Sequence, residues 1–121
     1  MRIEKDSMGN VHVPEDAYYG AQTQRAIDNF PISGIKLAPN MLNAIVIIKR
    51  SAAIVNYNLG VLDKKRRTAI IQSADEILSG KFNDQFLVDI FQTGSGTSSN
   101  MNCNEIIANR ASEIMGGVIG S

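Results

Sequence analysis

The chain has 121 residues, is 44% hydrophobic and 20% charged, and balances twelve basic residues against twelve acidic ones. These values predict one globular domain with a modest core, and they exclude a strongly basic surface for nucleic acid or an anionic membrane. The lone cysteine, Cys103, has no internal disulfide partner, no apolar run approaches the ~20 residues of a membrane span, and the first residues lack the apolar core of a signal peptide, so a reducing cytoplasm is the expected setting.

From the N-terminus, Val11 and Val13 alternate with His12 beyond a Met8-Gly9-Asn10 turn, which predicts a small hairpin over residues 2–14. His12, the only histidine, is expected to be an exposed strand residue rather than a catalytic one. Pro14 closes this piece, and a short helix is predicted over 16–29 with Asp16 as its cap. Gln22 and Arg25, three apart, fall on one face of it. Taken alone, Arg25 reads as a solvated surface charge. Phe30-Pro31-Ile32-Ser33-Gly34 breaks the helix, and Pro39 suits the first turn of the next one.

Residues 39–59 are rich in apolar side chains, and few polar positions interrupt 41–55. Their β-branched content would also suit a strand, but the length argues for a helix buried on most of its surface. So apolar a helix in so small a domain is expected to be covered by other chains or domains. Gly60 is its stop signal. Asp63 caps a third helix, 64–79, with Ile70, Ala74, Ile77 and Leu78 as its stripe and Gly80 at its end. The run Lys64-Lys65-Arg66-Arg67 reads as a solvated first turn whose charge opposes the helix dipole.

Residues 83–92 are predicted to be a short helix or an irregular segment. A last helix spans about 99–115, with Cys103, Ile106, Ile107, Ala111 and Ile114 facing the core, and Gly116-Gly117 ends it. Cys103 is expected to be a buried small hydrophobe rather than a nucleophile. Asparagine is a poor helix former, so Asn100, Asn102, Asn104 and Asn109 in one helix mean that packing or function outweighs propensity there. The fold class is mainly α, with a small extended N-terminal hairpin.

The stretch Thr93-Gly94-Ser95-Gly96-Thr97-Ser98-Ser99-Asn100-Met101-Asn102 carries the most chemistry. Glycine lets another molecule approach the backbone, Ser98 and Ser99 are good N-caps for the last helix, and a helix N-terminus attracts anions. The stretch is therefore a candidate loop for a carboxylate or phosphate, although ordinary capped loops share this composition. It is not a P-loop, because no lysine occurs in it. As a dinucleotide fingerprint it is weak: Gly94 and Gly96 fit, but Ser99 stands where the third glycine belongs.

The segment Phe91-Gln-Thr-Gly-Ser-Gly-Thr-Ser-Ser-Asn-Met-Asn-Cys-Asn-Glu-Ile-Ile-Ala-Asn-Arg-Ala111 resembles the first conserved block of the class II fumarases and their relatives, the aspartases. Two further blocks, Gly20-Ala-Gln-Thr-Gln-Arg-Ala-Ile-Asp-Asn-Phe30 and Arg2-Ile-Glu-Lys-Asp-Ser-Met-Gly, keep the family's order and spacing. The resemblance implies a mostly helical, three-domain, homotetrameric enzyme that adds or removes a small group across a carbon–carbon double bond beside a carboxylate. For fumarases this is the reversible hydration of fumarate to L-malate, without a cofactor or metal. Carried over by position, Ser95, Gly96 and Thr97 would bind a substrate carboxylate, with Asn100 nearby and Arg25 in a block close to the site. The partner so implied is a small dicarboxylate, not nucleic acid or membrane.

The family's later Ser-Ser-Asn loop, its histidine-bearing domain and its mobile Gly-Ser-Ser loop are not in this sequence. Residues 1–121 are therefore expected to be the N-terminal domain of a longer enzyme, holding substrate-binding parts, no catalytic base and no activity alone. The form Thr93-Gly-Ser-Gly-Thr97 leans to fumarase, where aspartases more often show Ala-Gly-Ala-Gly-Thr. An aspartate ammonia-lyase, or a non-catalytic helical assembly module, are the alternatives.

Overall fold

The computed structural model describes residues 1–120. An antiparallel hairpin, β1 (Arg2–Asp6) and β2 (Gly9–Val13), precedes four helices: α1 (Ala21–Asn29), α2 (Pro39–Asn58), α3 (Lys64–Leu78) and α4 (Thr97–Ile114). Helix α4 is the centre of the domain and packs against the other three, while α2 also pairs with α3 and the hairpin lies on α1. Val13, Val46, Ala74, Ile77, Phe86, Cys103 and Ile106 meet in the core cluster.

The hairpin turns at Ser7 and Met8, slightly before the expected place, with Asp6 opposite Gly9. The Met8 amide donates to Asp6 Oδ1 at 2.9 Å, and Gly9 takes the positive φ of 115° that closes the turn. Alternation holds as expected: Val11 and Val13 are buried and His12 is exposed. Residues before α1 depart from expectation. Helix α1 begins at Ala21, not at 16, because the Ala17 amide bonds back to Pro14 in a turn. Asp16 is exposed and caps nothing; the cap role passes to a residue far along the chain, Glu105.

Helices α2 and α3 end as their sequence predicts. Gly60 adopts φ 78° after α2, and Gly80 adopts φ 93° after α3. Asp63 caps α3 by accepting the Arg66 amide at 2.8 Å. The expectation that α2 is buried on most of its surface is corrected within this chain. Val46 and Ala53 are its buried residues, while Met41, Ile47, Ile48 and Val55 are 56%, 51%, 64% and 52% exposed. One stripe of α2 reaches α3 and α4; the other apolar face is left to solvent, the exposure for which an external cover was expected.

After α3, a short 3-10 turn at Asn83–Gln85 leads into irregular chain, as read from the sequence. Two asparagines of α4 hold this chain and the entry to α1. Asn102 donates to Gln85 O at 3.0 Å and accepts from the Leu87 amide, and Asn109 donates to Tyr18 O at 2.6 Å and accepts from the Gly120 amide. Both are buried, so these bonds to otherwise unpaired backbone groups outweigh the poor helix propensity of asparagine.

Candidate functional site

The Gly- and Ser-rich loop is held at both ends. On its N-terminal side Asp89 is buried and accepts from the amides of Ser33, Gly34 and Phe91 and from the Ser33 hydroxyl. Burial pushes the Asp89 carboxyl up, but these four donors outweigh it and hold the group below its usual value. A bridge between Lys36 and Asp89 continues the attachment, with the Ile90 amide donating to Ile35 O at 2.9 Å. The segment before α2 thus anchors the segment before α4.

On its C-terminal side the loop becomes helix. The Gly96 amide donates to Thr93 O at 3.0 Å, and Gly96 takes φ 72°, a left-handed conformation that a β-carbon disfavours. Helix α4 starts at Thr97, so the expected capping by Ser98 and Ser99 is corrected: both lie inside the first turn, and Gly96 holds the cap position without a side-chain bond. Gln92 supplies the missing acceptor. Its Oε1 accepts the Ser99 amide at 2.9 Å, and its Nε2 donates to Ser99 Oγ at 2.8 Å and to Asp89 O at 3.0 Å. Among the described residues the Thr97 and Ser98 amides keep no acceptor, which leaves two donors at the positive end of α4.

A cleft of about 640 Å³ opens beside this loop. Thr93, Gly94, Ser95, Gly96 and Asn100 form its polar side, and Leu37, Met41, Ile45 and Ile90 form its apolar side. The structure therefore brings Ser95, Gly96 and Asn100 together around one space. Thr97 is exposed at the start of α4, next to that lining rather than within it. Arg25 is not brought there. It clamps the hairpin, with Nε to Asp6 Oδ2 at 2.7 Å and Nη2 to Asp6 Oδ1 at 2.9 Å, while Gln22 donates to the same carboxylate. Hydrogen bonding to Arg25 is the main cause holding the Asp6 carboxyl below its usual value, with burial acting against it.

Sequence reading missed Lys49. This lysine of α2 is half-buried, one turn past Ile45, and its Nζ donates to Asn100 Oδ1 at 2.5 Å. A Lys-Arg pair inside an otherwise apolar helix was the available signal; the contact itself spans 51 positions. Gln92 was missed for a similar reason, since its bonds to Ser99 do not follow the three-residue spacing of a capping box. Cys103 is buried as expected, and burial pushes its thiol up to about 11, with the Lys49 charge pulling the other way. It is therefore a protonated core residue and no nucleophile.

Elsewhere one charged network joins three parts of the chain. Arg110 on α4 spans Glu76 and Glu113, and the Tyr18 hydroxyl donates to Glu113 Oε1 at 2.6 Å. This network ties α3, α4 and the turn before α1. Among the described residues no cluster of three or more His, Cys, Asp or Glu side chains is arranged to hold a metal ion. No helix among them is long and apolar enough to cross a membrane.

A family model described as Lyase matches residues 9–120. The class II fumarate hydratase of Halobacterium salinarum is 57% identical over 119 residues, covering 98% of this chain and 25% of that protein. An aspartate ammonia-lyase from a Bacillus species is 53% identical over 116 residues, covering 96% of this chain and 25% of that protein. The crystal structure of a fumarate lyase/delta crystallin from Brucella melitensis superposes with a TM-score of 0.96 at 46% identity, over 100% of this chain and 28% of that one. The chain thus spans about a quarter of the length of the curated relatives it matches. Its helical architecture, its N-terminal hairpin and the identity along nearly all of its length agree: the chain belongs to the fumarate lyase family, which includes both class II fumarases and aspartate ammonia-lyases.

Proposed function

We propose that this chain is the N-terminal domain of a class II fumarase, a homotetrameric cytoplasmic enzyme that reversibly hydrates fumarate to L-malate. Its share of the work is to bind a substrate carboxylate on the loop before α4. The observation that carries this reading is the convergence of Ser95, Gly96 and Asn100 on one cleft at the free N-terminus of α4. The unengaged Thr97 and Ser98 amides, the hydroxyls of Ser95 and Thr97, and the helix dipole all favour an anion there. Removing a proton beside a carboxylate builds a doubly charged intermediate, and donors fixed in advance around that charge lower the barrier.

No general base is assigned to this domain. The titratable groups near the loop are Asp89, occupied by four donors, Cys103, buried and protonated, and Lys49, whose Nζ donates to Asn100 Oδ1. The base and the rest of the site are therefore assigned to other parts of the enzyme and to its other subunits. Arg25 reaches a substrate only if Asp6 releases it; its bidentate pairing favours a structural role.

Aspartate ammonia-lyase is the second reading, favoured by 53% identity to such an enzyme over 96% of this chain. The Ser95 hydroxyl, standing in the position for which alanine is more usual among aspartases, supports fumarase. The test is to assay the full-length enzyme carrying this chain with fumarate plus water and with aspartate. Hydration with negligible deamination is expected; efficient deamination of aspartate overturns the fumarase assignment.

A further inference from the structure

We infer that Lys49 is a positioning residue for the carboxylate loop: it fixes the Asn100 amide so that its two N–H donors serve the cleft. The inference rests on the reading of that loop as a substrate-binding element. An ammonium can only donate hydrogen bonds, so the Asn100 atom at 2.5 Å from Lys49 Nζ is the carbonyl oxygen. That contact sets which way the amide faces. The remaining polar atom, Nδ2, has no acceptor among the described residues, although Asn100 lines the cleft and is itself half-buried. An amide nitrogen on the cleft wall that no protein acceptor takes can donate to an anionic oxygen of a ligand.

The electrostatics point the same way. Lys49 is half-buried, yet among the described residues no carboxylate pairs with it. Asp89, the nearest acidic group along the loop, is committed to Ser33, Gly34 and Phe91. A partly desolvated cation whose one hydrogen bond goes to a neutral amide leaves positive potential at the loop, where a dicarboxylate would neutralise it. Lys49 does not line the cleft, so its action on a ligand runs through Asn100 and not through contact. Without Lys49 the Asn100 amide is free to rotate and present its oxygen, which repels a carboxylate.

The test is a double-mutant cycle in the full-length enzyme, with rates expressed per folded protein. Lys49→Met is expected to lower kcat/KM for fumarate by roughly tenfold or more, the scale of a lost hydrogen bond to a charged group. In an Asn100→Ala background the same substitution is expected to cost less than about threefold, because the group it orients is gone. Lys49→Arg, which keeps a cationic donor, is expected to recover most of the loss. A Lys49→Met enzyme within about threefold of wild type, or equal losses in both backgrounds, overturns the inference. If Lys49→Met does not fold, Lys49→Gln replaces it in the same cycle under the same criteria. Thr97→Val and Asn100→Ala alone separate the two levels. If both leave kcat/KM unchanged, the loop reading falls and takes this inference with it; if both lose activity while Lys49→Met does not, only this inference falls.

Discussion

The carboxylate of Glu105 in α4 accepts from both the amide and the hydroxyl of Thr23 in α1, at 2.9 and 2.6 Å, and from the Gln22 amide at 3.0 Å. A helix start that has no cap of its own is thus capped by a neighbouring helix. The negative charge also sits at the positive end of the α1 dipole. This one side chain therefore fixes both the start of α1 and its docking on α4.

Glu105→Gln keeps the shape but places an amide donor where an oxygen accepts, so one donor of α1 loses its partner. The expected cost is about 1–3 kcal/mol of stability. Urea denaturation followed by circular dichroism measures it; an unchanged midpoint would show that the cap is dispensable.

Gly20 leaves room for that carboxylate. A β-carbon there would stand 2.7 Å from Glu105 Oε2 and 3.0 Å from Glu4 Oε1. Gly20→Ala is expected to destabilise by ~1–3 kcal/mol through crowding. A β-carbon at Gly96 meets nothing within 4 Å, and its cost comes from the left-handed backbone, about 1–2 kcal/mol. Thermal melts of both variants, with Glu105→Ala added to the first, separate the causes. Truncating Glu105 should reduce the cost of Gly20→Ala to what the Glu4 contact leaves, and leave that of Gly96→Ala unaffected.

In the full-length enzyme, Thr97→Val removes one donor next to the cleft. Thr97 is exposed and its side chain has no partner among the described residues, so stability should hardly change. Loss of a hydrogen bond to a charged group predicts a roughly ten- to hundredfold fall in kcat/KM. Gln92→Ala is the contrasting variant, since it removes the cap on the Ser99 amide and should cost ~0.5–2 kcal/mol of stability. If Thr97→Val instead lowers the melting temperature and keeps kcat/KM, the residue is loop scaffold.

Asp89 makes the attachment of the loop acid-sensitive. Its folded-state carboxyl lies below the ordinary value of 3.8, so the folded chain favours the charged form. The resulting stability is complete above that ordinary value and is lost as the pH falls through the lower, folded one. Asp6, held down by Arg25, acts with the same sign. Denaturation midpoints should be flat near neutrality and fall in acid. Asp89→Asn should be less stable at neutral pH and show a shallower acid decline; a decline as steep as wild type would remove Asp89 from the explanation.

The uncovered face of α2 predicts association of the isolated chain. Met41, Ile47, Ile48 and Val55 are each more than half exposed on it. An apolar patch of this kind marks an interface. Sedimentation should show self-association, or an apolar dye should bind, and Ile48→Lys should reduce either. A strictly monomeric chain that binds no dye contradicts this.

The sequence by itself determined the helical class, the hairpin and the ends of α2 and α3, because those follow from local rules. Alternation of Val11 and Val13, the Asp63 cap and the positive φ of Gly60 and Gly80 each need only a few neighbouring residues. The loop was legible as a candidate for an anion from its own ten residues. What only the tertiary structure decided are contacts between distant residues. Glu105 replaces Asp16 as the cap of α1 across 82 positions, and Gln92 replaces Ser98 and Ser99 at α4. Asn102 and Asn109 prove to be clamps on backbone groups 15 and 91 positions away, while Asn100 meets Lys49. Arg25 is taken by Asp6, and α2 keeps an open face. A local pattern states which donors and acceptors need partners; the packing of α4 against its neighbours chooses them, because burial makes an unpaired polar group costly wherever along the chain its partner lies.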